Sequence, residues 1–264
     1  MSALNDAAVL LGVGVLAGIV STVASLASVV SYPALLALGL PPVTANVTNT
    51  VALMFTAVGA AGGSRPELAG QGYRLRTLGV LTAAGGGAGA ALLLLTPARG
   101  FEYAAPLLIA VGSLVLLRRQ TPPAQPGHGS ELSHDDGGDG SSDAGRGGWL
   151  ARAAVFGVAV YIGYFGAAGG ILMLAVLFRM YAQSLARTSA LKNVISGLAN
   201  AVAGIGFAIF GPVRWAAALP LAAGFLVGGW IGPSLVRSLP ARGLRIFIGI
   251  SGLAVAIRLG VSTY

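Results

Sequence analysis

The sequence predicts an all-α integral membrane protein of seven to eight transmembrane helices, in two homologous halves with paired broken or re-entrant segments. Three observations predict it. Of 264 residues, 55% are hydrophobic and only 9% charged, against about 25% charged in an ordinary soluble domain. Too few polar groups remain to cover a globule of this size. The apolar residues also fall in long runs, most of them near or above the roughly 20 residues that cross a bilayer as a helix. Finally, features of the first half recur in the second. The mean hydropathy of +0.82 agrees. Gly is abundant, at 41, but shows no G-X-Y period, which excludes collagen. Cysteine is absent, which excludes disulfides, thiolate metal sites and Cys nucleophiles.

The apolar runs cover about 7–38, 43–63, 75–96 and 101–117, then 149–178, 186–210, 213–236 and 244–261. Ahead of the first run stands Asp6 and no Lys or Arg. A signal peptide has a basic n-region, so the first run is expected to stay as a membrane segment. Residues 119–148 are rich in Pro, Gly, Ser and Asp and nearly free of apolar side chains. Such a stretch has nothing to bury against the entropy of ordering and reads as a disordered linker. It holds both histidines, His128 and His134, and solvated low complexity is expected there over a loose metal site. The expected organisation is a first transmembrane repeat at 1–118, a hydrophilic linker at 119–148 and a second repeat at 149–264.

The repeat rests on register. Pro97-Ala98-Arg99-Gly100 recurs as Pro240-Ala241-Arg242-Gly243, 143 positions on. At the same offset Gly85, Gly86 and Gly89 meet Gly228, Gly229 and Gly232. G-x-x-x-G lets helix backbones approach closely, and internal duplication is a transporter habit. The first run of each half is too long for one straight crossing and is interrupted. One interruption spans Ser25 to Pro33 and includes Ser28; the other spans Gly163 to Gly170. Paired interruptions point to a binding site near the bilayer midplane. Backbone groups freed by a break are tolerated only around a cavity or inside protein.

Charge says what such a site holds. The chain has 16 basic and 8 acidic residues, net +8. Residues 121–148 take five acids and one base, leaving 15 bases and 3 acids elsewhere. Those acids, Asp6, Glu67 and Glu102, lie at run ends or in loops. A cation site or carboxylate relay has no visible ligand inside a span. The bases are spread among apolar runs and form no patch, so they read as loop charges set by topology and anionic lipid, and no nucleic-acid partner is expected. Arg187 and Lys192, the only lysine, open the 186–210 helix beside Thr188, Ser189 and Asn193. A cation, hydroxyl and amide donors and helix N-termini together suit an oxyanion. The alternative for Arg187 and Lys192 is snorkelling at an interface or topology charge. Asn46, Thr48 and Asn49 group in an apolar segment and read as a lining. With Ser28 and Pro33 at the first break and Gly169 and Gly170 at the second, these residues form the expected substrate site.

The chain resembles the sulfite exporter TauE/SafE family of membrane permeases. The Gly-rich break Phe165-Gly166-Ala167-Ala168-Gly169-Gly170-Ile171-Leu172 carries part of the likeness. So do the small-polar strings Thr44 to Thr50 and Ala186 to Asn193, and the turn Gly211-Pro212-Val213-Arg214-Trp215 leading to Gly228-Gly229-Trp230-Ile231-Gly232. The first-half break departs from the family, reading Ser25-Leu26-Ala27-Ser28 where Gly is usual. The resemblance implies a proton-coupled secondary carrier of small anions such as sulfite, organosulfonates or related oxyanions or carboxylates.

An intramembrane enzyme would need His, Cys or paired carboxylates in the spans, so no enzymatic activity is expected, and no cofactor or metal. A passive anion channel or a structural membrane protein without transport is the alternative. The expected partners are a small anion, the lipid bilayer and, for assembly, a homo-oligomer. The positive-inside rule puts loop 64–76 and the linker in the cytoplasm, with the protein multi-pass in the cytoplasmic membrane. The arginines of 237–245 favour the inside as well. A strictly parallel repeat would put that loop outside, unless the halves are inverted or a broken segment re-enters.

Overall fold

The computed structural model describes residues 3–24, 27–101, 147–166, 169–181 and 183–236, with single positions at 103, 107 and 257. The expected runs at 101–117 and 244–261 fall almost wholly outside the described residues, as does the linker except its last two residues.

Among the described residues the fold is all helical. The first half gives α1 (Ala3–Ala24), α2 (Ala27–Ala37), α3 (Pro42–Gly63), α4 (Arg65–Leu68) and α5 (Gly72–Leu95). The second gives α6 (Gly147–Tyr164), α7 (Gly169–Met180), α8 (Leu185–Phe210) and α9 (Trp215–Val236). Five of these are long and apolar enough to cross a membrane: α1, α3, α5, α8 and α9. Three more, α2, α6 and α7, are shorter and apolar. Each over-long first run is thus two helices. The chain is a multi-pass membrane protein, and its outward faces fit that. Leu16, Val58, Val80, Leu95, Ile209, Phe210, Leu219 and Trp230 are all exposed. In water that much bare apolar surface would drive association; in lipid it is the solvated face.

Local chemistry sets the ends. Gly39, at φ 82°, closes α2, and Leu40 N–H donates to Leu35 O at 3.2 Å. Pro41 and Pro42 then start α3, where a missing N–H costs nothing. Gly166, at φ 74°, closes α6 in the same way, donating to Tyr161 O at 3.0 Å. Both are left-handed positions where a side chain would be strained. Ser184 caps α8, its hydroxyl accepting from Arg187 N–H at 3.5 Å.

Small residues fix the packing. A Cβ on Gly85 or Gly89 would strike the α6 backbone between Phe156 and Tyr164, and one on Gly86 would strike Ala199 of α8. In the second half, Gly228 meets α1 at Val15 to Ile19, Gly232 meets Thr22, and Gly229 meets Thr56 of α3. Positions 86 and 229, and positions 199 and 56, are each 143 apart. So α5 packs on α6 and α8 from the other half, and α9 packs on α1 and α3. The two halves interlock through α5 and α9.

The same contacts give direction. Gly14 and Gly18 of α1 meet α9 in ascending order, so these helices are parallel. Thr48 lies by Arg214, and Gly59 by Leu226 to Trp230, so α3 is parallel to α9 too. Gly197 and Gly204 of α8, and Gly211 just after it, meet Ala57, Thr50 and Val47 in descending order, so α8 opposes α3. Gly85 and Gly89 climb α6 in order, and α5 runs with α8 from Gly79 at Leu198 to Ala90 at Gly206. Helices α1, α3 and α9 therefore run one way and α5, α6 and α8 the other. We call the starts of the first group the near face, and the starts of the second the far face.

Candidate functional site

A cavity of about 60 Å³ lies between the two helix breaks. By this measure each water needs about 10–15 Å³, so the space suits roughly four waters or an ion of a few heavy atoms. The end of α1 and start of α2 bring Ser21, Thr22 and Ser28 to its wall, and α3 brings Thr56. The second break contributes Gly166 and Gly170. Helix α8 supplies Lys192, Asn193, Ser196 and Asn200. Steps of one, three and four residues keep these four on one face of a helix. They form a polar stripe in an otherwise apolar span.

Lys192 is 3% exposed. A cation at such depth is costly and normally faces a cavity or a partner. Among the described residues no carboxylate lines the cavity. Two hydroxyls on its wall, Thr56 Oγ1 and Ser196 Oγ, are buried and have no hydrogen-bond partner among the described residues. One comes from each half of the chain. An unmatched buried hydroxyl costs about 1–3 kcal/mol, a cost that a bound acceptor would remove.

The polar residues of α3 do other work. Asn49 Nδ2–H donates to Ser28 Oγ at 3.2 Å, and the single Ser31 O–H is shared between Asn49 Oδ1 at 2.5 Å and Ala27 O at 2.9 Å. This cluster ties α2 to α3 just behind the cavity wall. Asn46 Nδ2–H donates to Tyr164 O at 2.9 Å, holding a carbonyl at the end of α6. Thr48 Oγ1 accepts from Arg214 N–H at 3.0 Å and so pins the turn before α9. Beyond the cluster, Phe165 meets Tyr32 edge-on at 5.5 Å and Phe101 at 5.7 Å.

Of the twelve residues expected at the site, Ser28, Gly170, Lys192 and Asn193 line the cavity. Asn49 stands directly behind Ser28. Pro33, Asn46, Thr48, Gly169, Thr188 and Ser189 are not on the wall. Thr188 is buried and donates back to Ser184 O at 3.0 Å, a bond internal to the helix start. Arg187 is exposed, with Nη2 donating to Ala69 O at 2.8 Å, and stands five residues before Lys192 on α8, outside the cavity. Sequence reasoning missed Ser21, Thr22, Thr56, Ser196 and Asn200. The helical spacing from Lys192 to Asn200 was the available signal.

Spanning helices around a small polar cavity, placed where two helices break, define the class: a membrane transporter. The family model described as Sulfite exporter TauE/SafE matches residues 10–259, nearly the whole chain. The chain belongs to that family, a family of membrane transporters. No curated protein and no solved structure matches it.

Proposed function

We propose that this protein is a proton-coupled secondary carrier of a small oxyanion, sulfite or a small sulfonate, bound in the cavity between the helix breaks. The observation that carries the reading is Lys192. It is a buried lysine on a wall of hydroxyls and amides, with no carboxylate among the described lining residues. Thr56, Ser196, Asn193 and Asn200 add donors suited to anionic oxygens. One lysine balances one negative charge, and an uncompensated buried charge costs several kcal/mol. The anion then crosses as a monoanion, or as a dianion with a proton. That is our support for proton coupling.

The architecture we infer is a pair of inverted repeats, 1–118 and 149–264. Matched glycine contacts at an offset of 143 and the opposed directions of α3 and α8 support it. Helix α2 leads into the start of α3 at the near face, where α1 also begins. Helix α7 leads into α8 at the far face, where α6 begins. Each pair returns to its own side, as a re-entrant hairpin does, and the breaks come together in the middle. Inversion also removes the conflict over loop 237–245, because α9 ends at the far face. Among the described residues that face carries Arg65, Arg74, Arg76, Arg152, Arg179 and Arg187 against Glu67, and the near face Arg99 and Arg214 against Asp6. The far face, the linker with it, is then cytoplasmic.

The test is flux. Purified protein in proteoliposomes is expected to take up sulfite with saturation and counterflow, and Lys192→Ala to lose both. Flux that never saturates and shows no counterflow would make it a channel instead.

A further inference from the structure

The arginine that the cavity leaves out, Arg187, lies in a second hollow. Gly70, Tyr73 and Arg74 form one wall, and Gln183, Ser184 and Arg187 the other, around about 560 Å³ of space at the far face. The walls come from opposite halves, at the starts of α5 and α8. Both guanidinium groups are held by neutral partners. Arg187 Nη2 is bonded to Ala69 O at 2.8 Å, and the Arg74 guanidinium sits 4.3 Å over the Tyr181 ring. Gln71 ties the walls together, its Nε2–H donating to Glu67 O at 2.9 Å and to Arg187 O at 3.2 Å. Among the described residues no acid lines the hollow. Two like charges lining one hollow repel each other, and a shared counter-anion relieves that repulsion. Arg recognises phosphate oxygens in a fork, with five donors of which Arg187 spends one here.

We propose that this hollow binds a phosphate group, presented by the headgroup of an anionic lipid, which bridges the two halves at the far face. The site lies in the first turns of two spanning helices, at headgroup depth, beside the exposed ring of Tyr73. Basic pockets between transmembrane helices take anionic headgroups in this way, and aromatic rings favour that level. This site is separate from the cavity and does not rest on the transport reading.

The experiment compares three additions to the full chain in neutral detergent: phosphatidylglycerol, phosphatidylcholine and inorganic phosphate. Thermal unfolding and co-purified lipid by mass spectrometry are the readouts. Phosphatidylglycerol is expected to raise the unfolding temperature and phosphatidylcholine not to. Arg74→Gln and Arg187→Gln are each expected to weaken phosphatidylglycerol binding about fivefold, the equivalent of about 1 kcal/mol per basic residue. Arg152→Gln, on the same face but outside the hollow, is expected to leave it unchanged. An equal rise with inorganic phosphate alone would support the phosphate site but move its source to solution, overturning the lipid assignment. Equal phosphatidylglycerol binding by wild type and both hollow variants, or an equal loss in Arg152→Gln, would overturn the site.

Discussion

Positions 49 and 192 occupy the same register in the two halves, 143 apart, and they do opposite things. Asn49 is neutral, fully buried and tied to Ser28 and Ser31. Lys192 is ionisable and lines the cavity with Asn193, Ser196 and Asn200. The glycine interfaces around them are matched: Gly86 on Ala199 and Gly229 on Thr56. So the scaffold repeats while the polar interior does not. A scaffold can be held by close backbone contact in both halves, whereas a site for one small anion needs only one cation, and a second would need its own compensation.

The largest effect is expected at Lys192. Lys192→Met should weaken sulfite binding at least about 30-fold, from the roughly 2–5 kcal/mol lost with a buried charged partner. Calorimetry on purified protein measures it, and an unchanged affinity would dissolve the contrast with Asn49. Next come the matched glycines. Gly86→Val and Gly229→Val should each lower stability by about 1–3 kcal/mol through overpacking, read as unfolding temperature. A large loss in one and none in the other would break the equivalence of the two interfaces. Asn49→Ala should weaken anion binding roughly fivefold, about 1 kcal/mol, because Ser28 loses the donor that orients it. The smallest effect is at Thr48. Thr48→Val should cost about 1 kcal/mol of stability, from the lost bond to Arg214 N–H, and leave anion affinity alone.

Much of the scaffold was legible in the sequence. Apolar runs mark α3, α5, α8 and α9 because a bilayer demands unbroken hydrophobic length. The left-handed Gly166 marks the second break because it ends a helix, whereas Pro33, expected to interrupt the first run, lies inside α2, and the change of helix falls earlier, between Ala24 and Ala27. The site was only partly legible. Lys192 stands out because a charge in a span is rare, but Asn46 and Thr48 carry the same polar signal and serve packing instead. Asn46 holds Tyr164 O and Thr48 holds Arg214 N–H, and spacing does not tell a partner in the protein from a partner in a ligand. Thr56 was missed for the converse reason. A lone threonine in a helix usually bonds back to its own backbone, as Thr50 does to Asn46 O at 2.9 Å, and only the fold shows that Thr56 Oγ1 does not. The inverted order we propose shows in the sequence only as a conflict between the arginines of 237–245 and a parallel repeat, and its support comes from helix directions, which the sequence does not carry.

The central claim is that one anion touches both halves at once. A double-mutant cycle on Thr56→Val and Lys192→Met, read as sulfite affinity, tests it most directly. Groups sharing a bound ion should couple by at least about 0.5 kcal/mol, whereas independent sites add. A coupling of that size is predicted; strictly additive losses would contradict a single shared site.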